Sequence, residues 1–206
     1  MRFFFNFFDK VKNRANSVFP FEYNKVIEFN NEFSELLKKD AFLARSDYSF
    51  LLTKYDDIYV FFNSCKTALT LEFYCKQNKI NKKEIETFLQ AYEDIKDLRK
   101  GSSIINKHNE QYIISHLKNE KTYFDVILQE IDRNILLDEE QRRVVLSDED
   151  YTLIIAGAGA GKTTTIAAKV RYLVEKKHVD PKQILVISFT NKAVGELKER
   201  INDGLK

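Results

Sequence analysis

Hydrophobic positions along this chain follow two different rules. Up to about residue 135 they recur at three and four, the spacing that puts side chains on one face of a helix. Val26, Phe29, Phe33, Leu36 and Leu37 form the first such stripe. Residues 48–77 are apolar more broadly. They predict one or two buried helices around Tyr59-Val60-Phe61-Phe62 and around Leu69, Leu71, Phe73 and Tyr74. Asn81-Lys82-Lys83-Glu84 has capping-box spacing for the next helix. Ile85, Phe88, Leu89, Tyr92, Ile95 and Leu98 then repeat along one side. Arg99 and Lys100 fall in its last turn and Gly101 stops it. A further helical stretch is expected from about Ser103 to Ile131, with Tyr112, Ile113, Leu117, Tyr123, Phe124, Ile127, Leu128 and Ile131 as its stripe. Residues 1–135 are therefore expected to form an all-helical region, without internal repeats.

The rule changes after residue 135. All phenylalanines but Phe189 lie before that point, whereas glycine is scarce there. A short helix is expected from Leu137-Asp138-Glu139-Glu140-Gln141. Asp138 and Gln141 have capping-box spacing, so Gln141 has a purely structural reading as the third residue of a capped helix. Tyr151–Ile155 is a short β-rich run. A glycine-alanine loop follows, then a helical pattern with Ile166, Ala167, Val170, Leu173 and Val174 on one side. Asp180-Pro181 breaks the chain. Gln183–Phe189 is a continuous apolar run, as expected of a strand buried on both faces. A last helix follows from about Lys192, with Ala193, Val194, Leu197 and Ile201 facing inward. The order β–loop–α–β–α predicts the opening of a parallel α/β sheet. The expected fold class is thus α plus α/β, with residues 136–206 as the second region.

Composition narrows the picture without deciding it. The chain has 206 residues, 44% hydrophobic and 31% charged, with net charge +2. That balance does not by itself argue for a nucleic-acid partner. Cys65 and Cys75 lack CxxC spacing and are read as thiols of a reducing cytosol. His108 and His116 are eight residues apart rather than at i and i+4, so no structural metal is expected. Asp56-Asp57 and the mixed run Lys82–Glu86 are read as solvated helix faces. No run approaches the roughly 18 apolar residues of a membrane-spanning helix. The start, MRFFFNFFDKVKNR, lacks a cleavage site and is read as an amphipathic helix or arm, with transient membrane contact as an alternative. The expected location is the cytoplasm.

The candidate chemistry lies in AGAGAGKTTT, residues 156–165. Gly157, Gly159 and Gly161 let the backbone turn its N–H groups toward phosphate oxygens. The helix that starts there adds free N–H groups and the positive end of its dipole. Lys162 is placed to reach the β/γ-phosphates and Thr163 to ligate Mg²⁺. The candidate stretch is Ala156, Gly157, Ala158, Gly159, Ala160, Gly161, Lys162, Thr163 and Thr164, with Lys162 and Thr163 as catalytic candidates. It departs from G-x-x-x-x-G-K-[ST] at Ala156, where the pattern has glycine. The bland alternative is a glycine-rich strand-to-helix turn.

Three segments in this order resemble the UvrD/Rep-like family of superfamily 1 DNA helicases, and its helicase IV-like branch is the nearest match. LDEEQRRVV looks like the family's Q motif. AGAGAGKTTT looks like its Walker A loop, in which alanine at the first position is usual. SFTNKAVGELKERI looks like its motif Ia. The resemblance covers residues 136–203. It implies a RecA-like P-loop NTPase sheet, ATP and Mg²⁺ as cofactors, and single-stranded or partly duplex DNA as partner. It implies that Gln141 reads the adenine edge with its amide. It implies that Phe189 stacks on bases while Thr190 and Asn191 contact the DNA backbone. Taken alone, Phe189 at a strand end also reads as a core residue. Thr164 stands where many members have arginine.

The resemblance further implies a Walker B acidic pair and arginine fingers, for which the sequence after Asn191 has no counterpart. The expectation is therefore the N-terminal piece of an ATP-dependent DNA helicase involved in DNA repair. Hydrolysis and unwinding would belong to a longer protein, with this chain inactive alone. Two alternatives stand beside it: a small P-loop kinase or NTPase, and a non-catalytic nucleotide- or DNA-binding regulatory protein. In the family's strand order the two predicted strands are not neighbours. The sheet is accordingly expected to be incomplete, with both strands short of partners. Oligomeric state is not legible.

Overall fold

A computed structural model describes residues 23–64, 81–157 and 159–202. The N-terminal arm, the Leu69–Tyr74 stripe, Cys65, Cys75 and Ala158 lie outside the described residues. The chain divides into two compact units. One takes the described residues up to Asp40 and those of Arg45–Lys107; the other takes Ala41–Ala44 and the described residues from His108 on.

The first unit contains α1 (Tyr23–Leu37), α2 (Arg45–Lys54), α3 (Asp56–Ser64) and α4 (Lys82–Lys100). Val26, Phe29, Phe33 and Leu36 are buried, at the three- and four-residue spacing that places them on one face of α1. The Phe29 ring stacks on Phe33 and meets Tyr55 edge-on, with centroids 5.6 and 5.2 Å apart. On α4 Phe88, Ala91, Ile95 and Leu98 are buried, and Phe62 of α3 packs on Phe88 and Tyr92. The capping box forms: Glu84 N–H donates to Asn81 Oδ1 at 3.0 Å, and Asn81 N–H donates to Glu84 at 2.9 Å. Gly101 ends α4, but Ser102 takes the left-handed turn at φ 53°, and its N–H closes on Asp97 O at 2.8 Å. Asp56 and Asp57 are ion-paired, with Arg99 and Lys25 respectively.

The division falls within α5 (Ser103–Asn119). The second unit continues with α6 (Lys121–Val126), α7 (Glu139–Leu146), α8 (Lys162–Glu175), a 3-10 turn (Pro181–Gln183) and α9 (Asn191–Asn202). The single helix expected over 103–131 is broken at Glu120, which starts α6 without a side-chain cap. The core gathers Tyr112, Ile113, Phe124, Ile127, Leu128, Leu137, Val145, Leu146, Ala167, Ala168, Tyr172 and Leu197. At its centre the rings of Phe124 and Tyr172 stack 5.8 Å apart. His108 Nε2 and His116 Nδ1 lie against the carbonyls of Ala41 and Tyr112, as structural histidines do.

The predicted sheet is not there. Among the described residues no segment is a β-strand, so the parallel sheet start expected over residues 136–206 is corrected to a helical assembly with two irregular segments. Residues 152–157 and 184–188 have no regular secondary structure and no backbone pairing between them. Tyr151, Leu153 and Ile155 are 93%, 84% and 89% exposed, and Leu185 and Ile187 are each 82% exposed. Val186 leans on the core, whereas its neighbours point into solvent. The physical reason lies in how each element is stabilised. A helix satisfies its backbone from within, whereas an extended segment needs another strand alongside. An apolar alternating run signals the tendency, but it cannot supply the neighbour.

Candidate nucleotide-binding loop

The loop is built from both sides. Its C-terminal side is fixed by Gly161, the residue before α8, held at φ 77° and ψ 21°. Gly159 also has φ 77°, so the loop makes two left-handed turns in three residues, a conformation that favours glycine. The N–H groups of Lys162, Thr163 and Thr164 open α8 and meet no acceptor among the described residues. Thr165 turns inward, its hydroxyl donating to Gly161 O at 3.1 Å. Lys162 folds back over the loop: Nζ donates to Ala156 O at 2.9 Å and Gly157 O at 2.6 Å. Thr163 is half-buried in the first turn.

The other side of the loop is Gln141. Both halves of the α7 capping box form, with Gln141 N–H on Asp138 Oδ1 at 2.8 Å and Asp138 N–H on Gln141 Oε1 at 3.0 Å. The same side chain reaches the loop, where Nε2 donates to Ala160 O at 3.3 Å. A Cβ added at Gly161 would lie 2.5 Å from that Nε2. Gln141 is thus a cap and a loop contact at once, and the capping reading does not exclude the other.

α7 is tied to α8 by Lys169, whose Nζ donates to Val145 O and Ser147 O at 3.0 and 2.8 Å and pairs with Asp148 at 3.3 Å. Burial pushes this ammonium below the ordinary lysine range, although Asp148 opposes the shift. Arg142 and Lys121 share Asp125, and the two cations hold its carboxyl below the usual range. Arg171 is buried on α8 and pairs with Glu175 at 3.0 Å.

The remaining sequence candidates lie at the start of α9. Phe189 is 107% exposed, well outside the core. Thr190 Oγ1 accepts the Ala193 N–H at 3.2 Å, and Asn191 is exposed. Sequence reasoning missed the far end of this helix, where Arg200 Nη1 donates to Thr164 Oγ1 at 2.5 Å. It missed Lys169 as well. The only sequence signal for either was a cation at the right helical phase. No group of three His, Cys, Asp or Glu suited to a metal ion occurs among the described residues, nor is any described helix long and apolar enough to cross a membrane.

The loop thus gathers two left-handed glycines, the open N–H groups of a helix start and a lysine ammonium at one place. Residues 137–206 match the family model of the UvrD/REP helicase N-terminal domain. Over 66 residues the chain is 50% identical to the probable DNA helicase II homolog of Mycoplasma capricolum, covering 32% of this chain and 9% of the relative. It is 48% identical over 65 residues to the ATP-dependent DNA helicase srs2 of Schizosaccharomyces pombe, covering 32% and 7%. It is 46% identical over 65 residues to the ATP-dependent DNA helicase UvrD1 of Mycobacterium leprae, covering 32% and 8%. The chain spans under a tenth of the length of these three relatives. No solved structure matches it. The resemblance to UvrD/REP-type helicases therefore holds for the C-terminal third, residues 137–206.

Proposed function

We propose that residues 136–202 bind Mg²⁺-ATP and contact single-stranded DNA as the nucleotide-binding part of an ATP-dependent DNA helicase. The observation that carries this reading is the loop: Gly159 and Gly161 left-handed, the N–H groups of Lys162, Thr163 and Thr164 open among the described residues, and the Lys162 ammonium folded onto the Ala156 and Gly157 carbonyls. These donors fit a phosphate chain. Among the described residues Lys162 has only neutral carbonyls as partners, and a phosphate offers it a stronger, charge-assisted bond. The Thr163 hydroxyl is the group that would hold Mg²⁺, which supplies charge neutralisation between the phosphates. Gln141 already lies against the loop and presents an amide that suits the adenine edge once it leaves Ala160 O. Exposed Phe189 offers a face for base stacking, with Thr190 and Asn191 beside it for the sugar-phosphate backbone.

The test is equilibrium binding of Mg²⁺-ATP to the chain and to Lys162→Ala. Losing one charge-assisted phosphate contact is worth about 1.5–3 kcal/mol, so affinity should fall roughly tenfold or more. Equal affinity in the two proteins would remove the loop from the reading. Gln141 further predicts that ATP binds better than GTP, because guanine leaves the amide mismatched.

A further inference from the structure

Lys169 stands in the middle of α8, about two helical turns beyond Lys162. Its ammonium lies at the C-terminal end of α7. Nζ donates to Val145 O at 3.0 Å, to Ser147 O at 2.8 Å and to Asp148 Oδ1 at 3.3 Å, which occupies all of its donors. The last carbonyls of a helix lack partners within it, and the negative end of the dipole favours a cation there. Gln141 lies about one turn before Val145, near the other end of the same short helix, and donates to Ala160 O at 3.3 Å. The capping box fixes the Gln141 side chain to α7 itself, so its amide goes where the helix goes. Between these two polar contacts Val145 and Leu146 are buried in one core with Ala167 and Ala168 of α8. Alanine methyls make low ridges. Such packing fixes how close two helices lie better than how far one slides along the other. The directional bonds of Lys169 fix the second quantity.

We propose that Lys169 is a positioning residue for nucleobase recognition: by holding the end of α7 on α8 it sets where the Gln141 amide stands against the loop. Reading a base edge needs a donor and an acceptor in place together, and a displacement of about 1 Å is enough to spoil such an arrangement. Without the ammonium, Val145 O and Ser147 O lose their donor and α7 is free to slide, carrying Gln141 with it. The phosphate donors belong to the loop and the first turn of α8, so they stay where they are. Loss of Lys169 should therefore blur the choice of base and spare the grip on phosphate. The inference rests on the nucleotide reading given above and adds to it a residue that touches neither base nor phosphate.

The test measures equilibrium binding of ATP, GTP and inorganic tripolyphosphate, each with Mg²⁺, to the full chain. The wild-type chain should prefer ATP to GTP by roughly tenfold. Lys169→Met keeps the apolar stem and removes the donors. It should bring that preference to within about twofold of unity and leave tripolyphosphate affinity within about twofold of wild type. Lys169→Arg, which restores a charged donor, should recover part of the preference. Gln141→Ala should also remove it, and adding Lys169→Met to Gln141→Ala should change it no further, because the two residues act through one contact. If Lys169→Met does not fold, Lys169→Gln takes its place with the same expectation. A variant that keeps the wild-type preference for ATP overturns the inference. So does one that loses ATP, GTP and tripolyphosphate affinity in equal measure, the mark of a purely structural role. A wild-type chain that holds tripolyphosphate but does not distinguish ATP from GTP overturns the adenine reading along with the inference. One that binds none of the three overturns the nucleotide reading as a whole.

Discussion

Helices α7 to α9 and the two irregular segments between them come from one stretch of sequence, yet they fare differently. α8 buries Thr165, Ala167, Ala168, Val170, Arg171 and Tyr172, while Tyr151, Leu153, Ile155, Leu185 and Ile187 lie more than four-fifths exposed. Hydrophobicity does not separate them, since the exposed segments are the more apolar. What separates them is where the backbone partner comes from. A helix needs a few neighbours for one face, whereas an extended segment needs a strand along its whole length. The candidate loop lies at the junction between the two kinds, with an unpaired segment before it and a packed helix after it.

This contrast can be broken by mutation, and the largest effect belongs to the packed side. Phe124→Ala removes a ring that is 1% exposed and stacked on Tyr172. It should cost about 3–5 kcal/mol in denaturant unfolding. A smaller loss is expected at the junction. Gly161→Ala forces a Cβ onto a backbone at φ 77° and displaces the Gln141 amide, for a cost of about 1–2 kcal/mol. Because part of that cost comes from Gln141, the same change in a Gln141→Ala background should cost less, which a double-mutant cycle measures. Asp138→Ala removes the cap of α7 and should cost about 1 kcal/mol, read from the thermal midpoint. The exposed side should show the least. Leu185→Ser and Ile187→Ser should each change stability by no more than about 0.5 kcal/mol and should improve solubility. A loss of several kcal/mol at Leu185 or Ile187 would mean that these side chains are buried after all, and the contrast would fail.

Features that depend on neighbours in sequence were legible in advance. Both capping boxes, Asn81 with Glu84 and Asp138 with Gln141, formed as their spacing required. So did the stripe of α1 and the turn from loop to helix at Gly161, because those bonds close within one or two turns. Features that depend on distant chain were not legible. The break at Glu120 falls inside a continuous periodic pattern. Arg200 meets Thr164 across 36 residues and Lys169 meets Val145 across 24, and no local rule pairs them. The strands failed for the same reason in reverse, since their pattern promised partners that only distant chain could provide. At the candidate site, Gln141 shows how the levels overlap. Its capping role was readable from spacing, whereas its contact with Ala160 O became visible only in three dimensions.

The central contrast is tested most directly by hydrogen–deuterium exchange of backbone amides in the second unit. Amides within α8 beyond its first turn should exchange slowly. Those of residues 152–156 and 185–189 should exchange near the rate of an unstructured peptide, because among the described residues no backbone acceptor holds them. Protection of those two segments equal to that of α8 would contradict the account.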